Sequence, residues 1–296
     1  MSAASNLRTL LQQPTPVIAP GIYDALTALL VEQAGFSCAY VSGASVSFTR
    51  LGRPDLGLTT LTEVADTVAR MRERVELPLI VDADTGFGNA LNVQRSVALL
   101  ERMGATAIQL EDQTAPKRCG HLAGKSLIAT SEMAGKIKAA CDARADDATL
   151  VVARTDAIAV ENIDAAIERG FNYVEAGADV LFVEAMRDVA QLQRVGEELG
   201  AKVPLLANMV EGGKTPLKPA QELGELGFSL IIYPGAMVRV VAKAATEYLQ
   251  VLQSDGSTLN HLDRMFNFDQ VMNLVGLNEM VEAAQQYSDE INRASD

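Results

Sequence analysis

Residues 108–125 read IQLEDQTAPKRCGHLAGK, a short apolar run ending in two adjacent carboxylates, Glu111 and Asp112, then a polar, Gly-containing loop too irregular for helix or sheet. The same order of apolar run and polar end recurs. With 108–111, the runs at 17–19, 38–41, 79–82, 150–154, 180–184, 205–208 and 230–233 make eight. They are too continuous to alternate, which is how parallel strands buried on both faces read.

Between the runs lie segments of helical period with start signals. Thr60 and Glu63 have capping-box spacing, Asn89 and Asn162 each precede a periodic stretch, and Ser131 opens EMAGKIKAACDAR. Gly104, Gly177, Gly200 and Gly227 stand shortly before the next run, where a glycine that ends a helix belongs. Strand and helix therefore alternate, which predicts an α/β fold, a (β/α)8 TIM-type barrel, with a doubly wound open sheet as the other arrangement. Gly86 and Gly88 begin a G-x-G-x-x-G pattern that Leu91 breaks, which weakens a dinucleotide-binding open sheet.

No linker or low-complexity run divides the 296 residues, and 48% hydrophobic content suffices for a large core. We expect a barrel over 1–253 with an active-site loop around 113–130, and a C-terminal helical extension over 254–296. In that extension Met265, Phe266, Phe268, Val271, Met272 and Leu274 are too apolar for a free tail and call for a packing partner, the same barrel or a neighbouring subunit. A net charge of −13 argues against nucleic acid or an anionic membrane as partner, though not against a small acidic substrate. Three cysteines without metal-type spacing suggest neither disulfides nor structural zinc, and the N-terminus does not read as a secretory signal. With no run long enough to span a bilayer, a cytoplasmic location is expected.

A barrel's active site gathers at the C-terminal ends of its strands. The residues there are Ser42 and Gly43, Asp82 and Asp84, Glu111, Arg154 with Asp156, Glu184, Asn208 and Tyr233. Asp82, Asp84, Glu111 and Glu184 would crowd four negative charges into one mouth, which is costly unless a cation bridges them. Oxygen ligands without His or Cys suit a hard ion, Mg²⁺ before Ca²⁺, with Mn²⁺ as a substitute. The turn Ser42, Gly43, Ala44 offers backbone N–H groups to a substrate carboxylate, and Arg154 would clamp a second carboxylate or neutralise an oxyanion. The inferred partner is a small di- or tricarboxylate.

Cys119 lies between Lys117-Arg118 and Gly120-His121. Nearby cations favour its thiolate, so it is expected to titrate low and to move protons or attack carbon. Gly120 lends the loop flexibility and falls among the substrate-binding candidates. His121, one of two histidines, either hydrogen-bonds substrate, tunes the thiol or is a surface residue. Lys214, in the turn EGGKTP, reads as a loop feature shaped by its glycines.

Together VDADTGFGN (81–89), IQLEDQ (108–113), KRCGH (117–121), VVARTDA (151–157), FVEA (182–185) and NMVEGGKTP (208–216) resemble, in order over most of the chain, the isocitrate lyase / phosphoenolpyruvate mutase superfamily. That resemblance implies a (β/α)8 barrel, Mg²⁺ held around Asp82, Asp84 and Glu111, and a mobile loop carrying KRCGH. It also implies a homotetramer, a dimer of dimers that exchange their C-terminal helices. Tyr40, Ser42, Gly43, Asp55, Arg154, Glu184 and Asn208 fall at the superfamily's substrate-binding positions. The KRCGH cysteine is similar to that of its carbon–carbon lyases, and CGHLAGK with EGGKTP leans toward the dimethylmalate lyase and oxaloacetate hydrolase branch.

The activity implied is retro-aldol cleavage of a 2-hydroxy di- or tricarboxylate of the 2,3-dimethylmalate or 2-methylisocitrate type to a 2-oxo acid and a carboxylate. Cys119 would protonate the departing carbanion, with Arg154, Glu184 and His121 as the other catalytic candidates. Oxaloacetate hydrolysis or decarboxylation on the same scaffold is the alternative, and a non-catalytic metabolite-binding barrel is a second class.

Overall fold

The structure, a computed structural model, describes residues 2–120, 122 and 124–293. The chain divides into two compact units, Met1–Val238 and Arg239–Asp296.

In the first unit, among the described residues, eight parallel strands close into a barrel. They are β1 Val17–Ile22, β2 Ala39–Val41, β3 Leu79–Asp82, β4 Ala107–Glu111, β5 Leu150–Thr155, β6 Val180–Val183, β7 Leu205–Asn208 and β8 Phe228–Tyr233. Pairing of β8 with β1 closes the ring and excludes the open sheet. Each expected run is a strand, but β1 runs past Ala19. Pro20 and Gly21 look like breakers in sequence, yet they pair with Tyr233 and Tyr40 because both neighbours hold the strand in register.

The apolar runs are continuous because alternate residues serve two cores. Ala19, Tyr40, Ile80, Val152, Phe182, Leu206 and Ile232 fill the barrel. Val41, Val81, Ile108, Leu110, Val151, Val183 and Ala207 face the helices. Each such Val, Leu or Ile contributes roughly 1.5–3 kcal/mol by leaving water, so Phe182→Ala in the interior would cost about 3–5 kcal/mol.

The helix starts follow local chemistry. Thr60 and Glu63 form a reciprocal capping box before Leu61–Arg72, Asn89 does so with Asn92 before Ala90–Arg102, and Asn162 caps Ile163–Glu175. At Ser131 the expectation is off by a residue. The helix Thr130–Ala143 begins earlier, with Ala129 at the cap position and no side-chain bond. A helix not foreseen, Ala3–Leu10, puts Leu7, and just beyond it Leu11, into the interior cluster at the strand-start end. Arg8 ties it down through Asp179 at 2.9 Å.

Helix Ala236–Asp255 runs from the first unit into the second and stops before Gly256, at φ 62°. The helical extension then continues in two short pieces, the 3-10 turn Leu259–Arg264 and the helix Phe268–Leu274. Asn267 separates them by capping the second through the Gln270 N–H. Leu277–Arg293 follows. Within the second unit Tyr248 and His261 pack ring to ring at 5.7 Å, while Val240, Leu249, Leu259, Leu262, Phe266 and Phe268 are exposed. No helix among the described residues is long and apolar enough to cross a membrane, and no disulfide joins the cysteines.

Candidate active site

The strand ends converge as a barrel requires, and the chain right after them is bent to turn side chains inward. Asp84 has φ 49°, in the left-handed region that Asp tolerates better than most residues. That bend folds it back on Asp82, whose Oδ1 accepts the Asp84 N–H at 3.1 Å and the Gln109 amide at 3.1 Å. Gly43, two residues past β2, lies against both carboxylates. A Cβ there would stand 3.0 Å from Asp82 Oδ2, a tight contact to which the carboxylate would have to give way. Ser42 accepts the Ser45 N–H and caps the short helix Gly43–Val46, which sets the amides of Gly43 and Ala44 in a helix first turn.

Opposite the two aspartates, Arg154 links three carboxylates. Its Nη1 is 3.2 Å from Glu111 Oε2, its Nε 3.0 Å from Asp156 Oδ2 and its Nη2 3.6 Å from Glu184 Oε2, with the Phe182 ring 5.0 Å below. Glu184 is further fixed by the Ala185 N–H at 2.6 Å and the Asn208 amide at 2.9 Å. The Tyr40 hydroxyl donates to Gln109 at 2.8 Å, so Tyr40 reaches the site through Gln109 and Asp82.

The loop over 113–130 is seated on this mouth. Its stems pair, Thr114 N–H to Ser126 O and Ile128 N–H to Asp112 O, both at 2.9 Å. Lys117 reaches down with its Nζ 2.6 Å from Asp55 and 2.7 Å from Asp84, and the Cys119 N–H donates to the Asp55 carbonyl at 3.3 Å. Gly120 sits so close to Arg154 and Glu184 that a side chain would overlap both. His121 lies outside the described residues. Near Cys119 in sequence, Lys117 is turned under the loop by the fold, and its ammonium is matched by two buried carboxylates.

Burial governs the site's charges. It pushes the Asp84 carboxyl up to about 7 against the pull of Lys117, and carries Glu111 well above the usual carboxylate range against Arg154 and Lys117. Burial also raises Asp156, but Arg154 and Lys125 outweigh it and hold that carboxyl below its ordinary value. For Lys117 burial works downward, and Asp84, Glu111, Asp82 and Asp55 reverse it, so the ammonium stays protonated.

Among the described residues no three acidic, histidine or cysteine groups stand close enough together to cage a metal; Lys117 pairs with Asp84, and Arg154 with Glu111. The donors nevertheless suit a hard cation. Glu111 Oε1 is buried without a hydrogen bond, and Asp84 Oδ1 meets Lys117 as an ion contact without hydrogen-bond alignment. A cavity of about 520 Å³ beside Arg72, Glu101 and Asp146 lies at the strand-start end, away from these groups.

Asp156 was visible as a strand-end carboxylate, whereas Lys117, Lys125 and Gln109 are the site's less foreseeable members. These lay in a loop or inside a strand, where only a buried polar residue in an apolar run, Gln109, gave a signal.

The residues 7–252 match the family model described as phosphoenolpyruvate phosphomutase. The chain is 42% identical over 288 residues to a 2,3-dimethylmalate lyase of Eubacterium barkeri, covering 97% of this chain and 99% of that one. It is 44% identical over 273 residues to a 2-methylisocitrate lyase of Aeropyrum pernix, covering 92% and 87%. Among solved structures it is similar to a 2,3-dimethylmalate lyase (TM-score 0.91, 35% identity, 97% and 96% covered). An oxaloacetate acetylhydrolase with 3,3-difluorooxalacetate superposes at TM-score 0.92, 32% identity, with 97% of each chain covered. A phosphonopyruvate hydrolase with oxalate and Mg²⁺ does so at 0.88, 30% identity, 97% and 99% covered. Likeness in sequence and in barrel thus extends over nearly the same residues that carry the mouth and its loop, and the chain belongs to the phosphoenolpyruvate phosphomutase family.

Proposed function

We propose that the chain is a Mg²⁺-dependent carbon–carbon lyase that cleaves a 2-hydroxy di- or tricarboxylate, of the 2,3-dimethylmalate or 2-methylisocitrate type, into a 2-oxo acid and a carboxylate. The observation that carries this reading is the seating of Gly120 on Arg154 and Glu184, which brings the loop of Cys119 to the acidic mouth. The lyase names of two relatives support carbon–carbon cleavage.

Asp82, Asp84 and Glu111 would hold the cation, as their all-oxygen donors suggest and as the Mg²⁺ named with the phosphonopyruvate hydrolase supports. When bound, it supplies positive charge that draws electron density from the substrate's oxygens. Arg154 binds a carboxylate, and the amides of Gly43 and Ala44 receive another. Glu184, held by Asn208, orients the guanidinium. A general base takes the 2-hydroxyl proton, the C2=O double bond forms as the C2–C3 bond breaks with its electron pair passing to C3, and the Cys119 thiol gives its proton to that carbon and is left as a thiolate. The seated loop keeps water from competing for the carbanion.

The tail follows from the same reading. Its exposed apolar side chains support a homotetramer built as a dimer of helix-swapped dimers.

The test is release of 2-oxo acid with Mg²⁺ from 2-methylisocitrate, 2,3-dimethylmalate, isocitrate and oxaloacetate, repeated with EDTA and with Cys119→Ser. Cleavage of one alkylated hydroxy acid, lost in both repeats while the variant still binds pyruvate, is expected. Turnover indifferent to EDTA, or intact in the variant, would sink the mechanism. The oxaloacetate acetylhydrolase likeness favours one second reading, and oxalate plus acetate as sole products would establish it.

A further inference from the structure

Lys125 is buried in the loop, its side chain 1% exposed, with Nζ 2.7 Å from Asp156 Oδ1. The same ammonium donates to the carbonyl of Gly120, the residue pressed against Arg154 and Glu184. Burying a lysine so completely is unfavourable unless its charge is matched, and Asp156 matches it from a position that is itself fixed. Its backbone N–H donates to Asp112 Oδ1 at 3.0 Å, and its carboxylate takes Arg154 Nε at 3.0 Å and Nη2 at 3.1 Å. Asp112 is in turn held by the Tyr173 hydroxyl at 2.8 Å. Asp156 Oδ1 thus serves both the guanidinium at the centre of the mouth and the loop's lysine.

We infer that Lys125 is a positioning residue. Its ammonium cross-links the turn at Gly120 to Asp156 and so sets Cys119 over the mouth, acting through Gly120 and Asp156 and not on substrate. Because Arg154 and Lys125 share one oxygen, the guanidinium and the loop are placed against the same support. The kinetic consequence rests on the lyase reading; the geometric one does not.

The experiment compares Lys125→Met, Lys125→Gln and Lys125→Arg in a Cys141→Ser background, with Cys38 fully buried. Two quantities are read: kcat and KM with the accepted hydroxy acid, and the alkylation rate of Cys119 by iodoacetamide, followed by peptide mass. Losing the cross-link is expected to speed alkylation about tenfold or more as the loop opens locally. It is expected to lower kcat about 100-fold with little change in KM, as misplacing a reacting group does. Lys125→Arg, which keeps the cation, should lie nearer the parent on both. Met and Gln variants with parental alkylation rates or parental kcat would overturn the inference, the Gln variant deciding if the Met variant does not fold. If the parent cleaves no hydroxy acid, the lyase reading fails, and the alkylation rates alone decide the cross-link.

Discussion

The α-carbon of Gly120 rests on the Arg154 guanidinium with no room for a side chain between them. A loop residue and a strand-end residue thirty-four positions apart therefore share one surface, and the loop's seat is defined by backbone. A methyl group at Gly120 should hold the loop off its seat. Gly120→Ala is expected to lower kcat about 100-fold, by displacing Cys119, with the unfolding midpoint little changed because the overlap is relieved by opening. Steady-state kinetics beside a thermal melt check it, and parental kcat would show that the seat is not needed.

Lys117 neutralises two buried carboxylates at once, Asp55 and Asp84. Lys117→Met is expected to cost about 3–5 kcal/mol in metal-free protein, since it leaves two largely buried carboxylates without their cation. Urea unfolding in EDTA measures it. A loss below about 1 kcal/mol, the range of surface pairs, would mean that solvent screens the site in solution.

The Thr60 cap is a prediction about pH. The Thr60 backbone N–H and hydroxyl hold the Glu63 carboxyl below its ordinary value, by hydrogen bonds that favour the ionised form. A lowered carboxyl pKa contributes stability that is present above the unfolded value and fades as pH falls through the folded one. Glu63→Gln should remove that acid dependence, and Thr60→Ala should cost about 1 kcal/mol at neutral pH. Urea midpoints of both variants between neutral and acid pH read the two effects; an unchanged acid slope in Glu63→Gln would contradict the assignment.

The tail's exposed aromatics predict a concentration-dependent assembly. Phe266→Glu with Phe268→Glu is expected to dissociate the proposed tetramer and to lower the Tm, which light scattering after gel filtration and a thermal melt would detect. A parent that is monomeric, or a double variant that remains tetrameric, would remove these side chains from any interface.

Much of this was readable from residue order. The eight runs became the eight strands because a parallel barrel strand is buried on both faces, so its composition is apolar whatever its neighbours are. Thr60, Asn89 and Asn162 marked helix starts because a cap is a bond between residues two or three apart. Pro20 and Gly21 misled by local rule alone. The N-terminal helix went unread because Leu7 and Leu11 acquire meaning only against the barrel floor they cover.

Residue order by itself determined the barrel and the side of it that carries the polar strand ends. Only tertiary structure decided which charges meet. Lys117 looked like a neighbour of Cys119 and is a partner of Asp55 and Asp84; Lys125, given no role by its place in the sequence, is bound to Asp156. The physical reason is range. Strand and helix signals come from contacts a few residues long, whereas an ion pair between a loop and a strand end depends on where closure of the ring brings each end, and on burial that makes an unmatched charge too costly to leave.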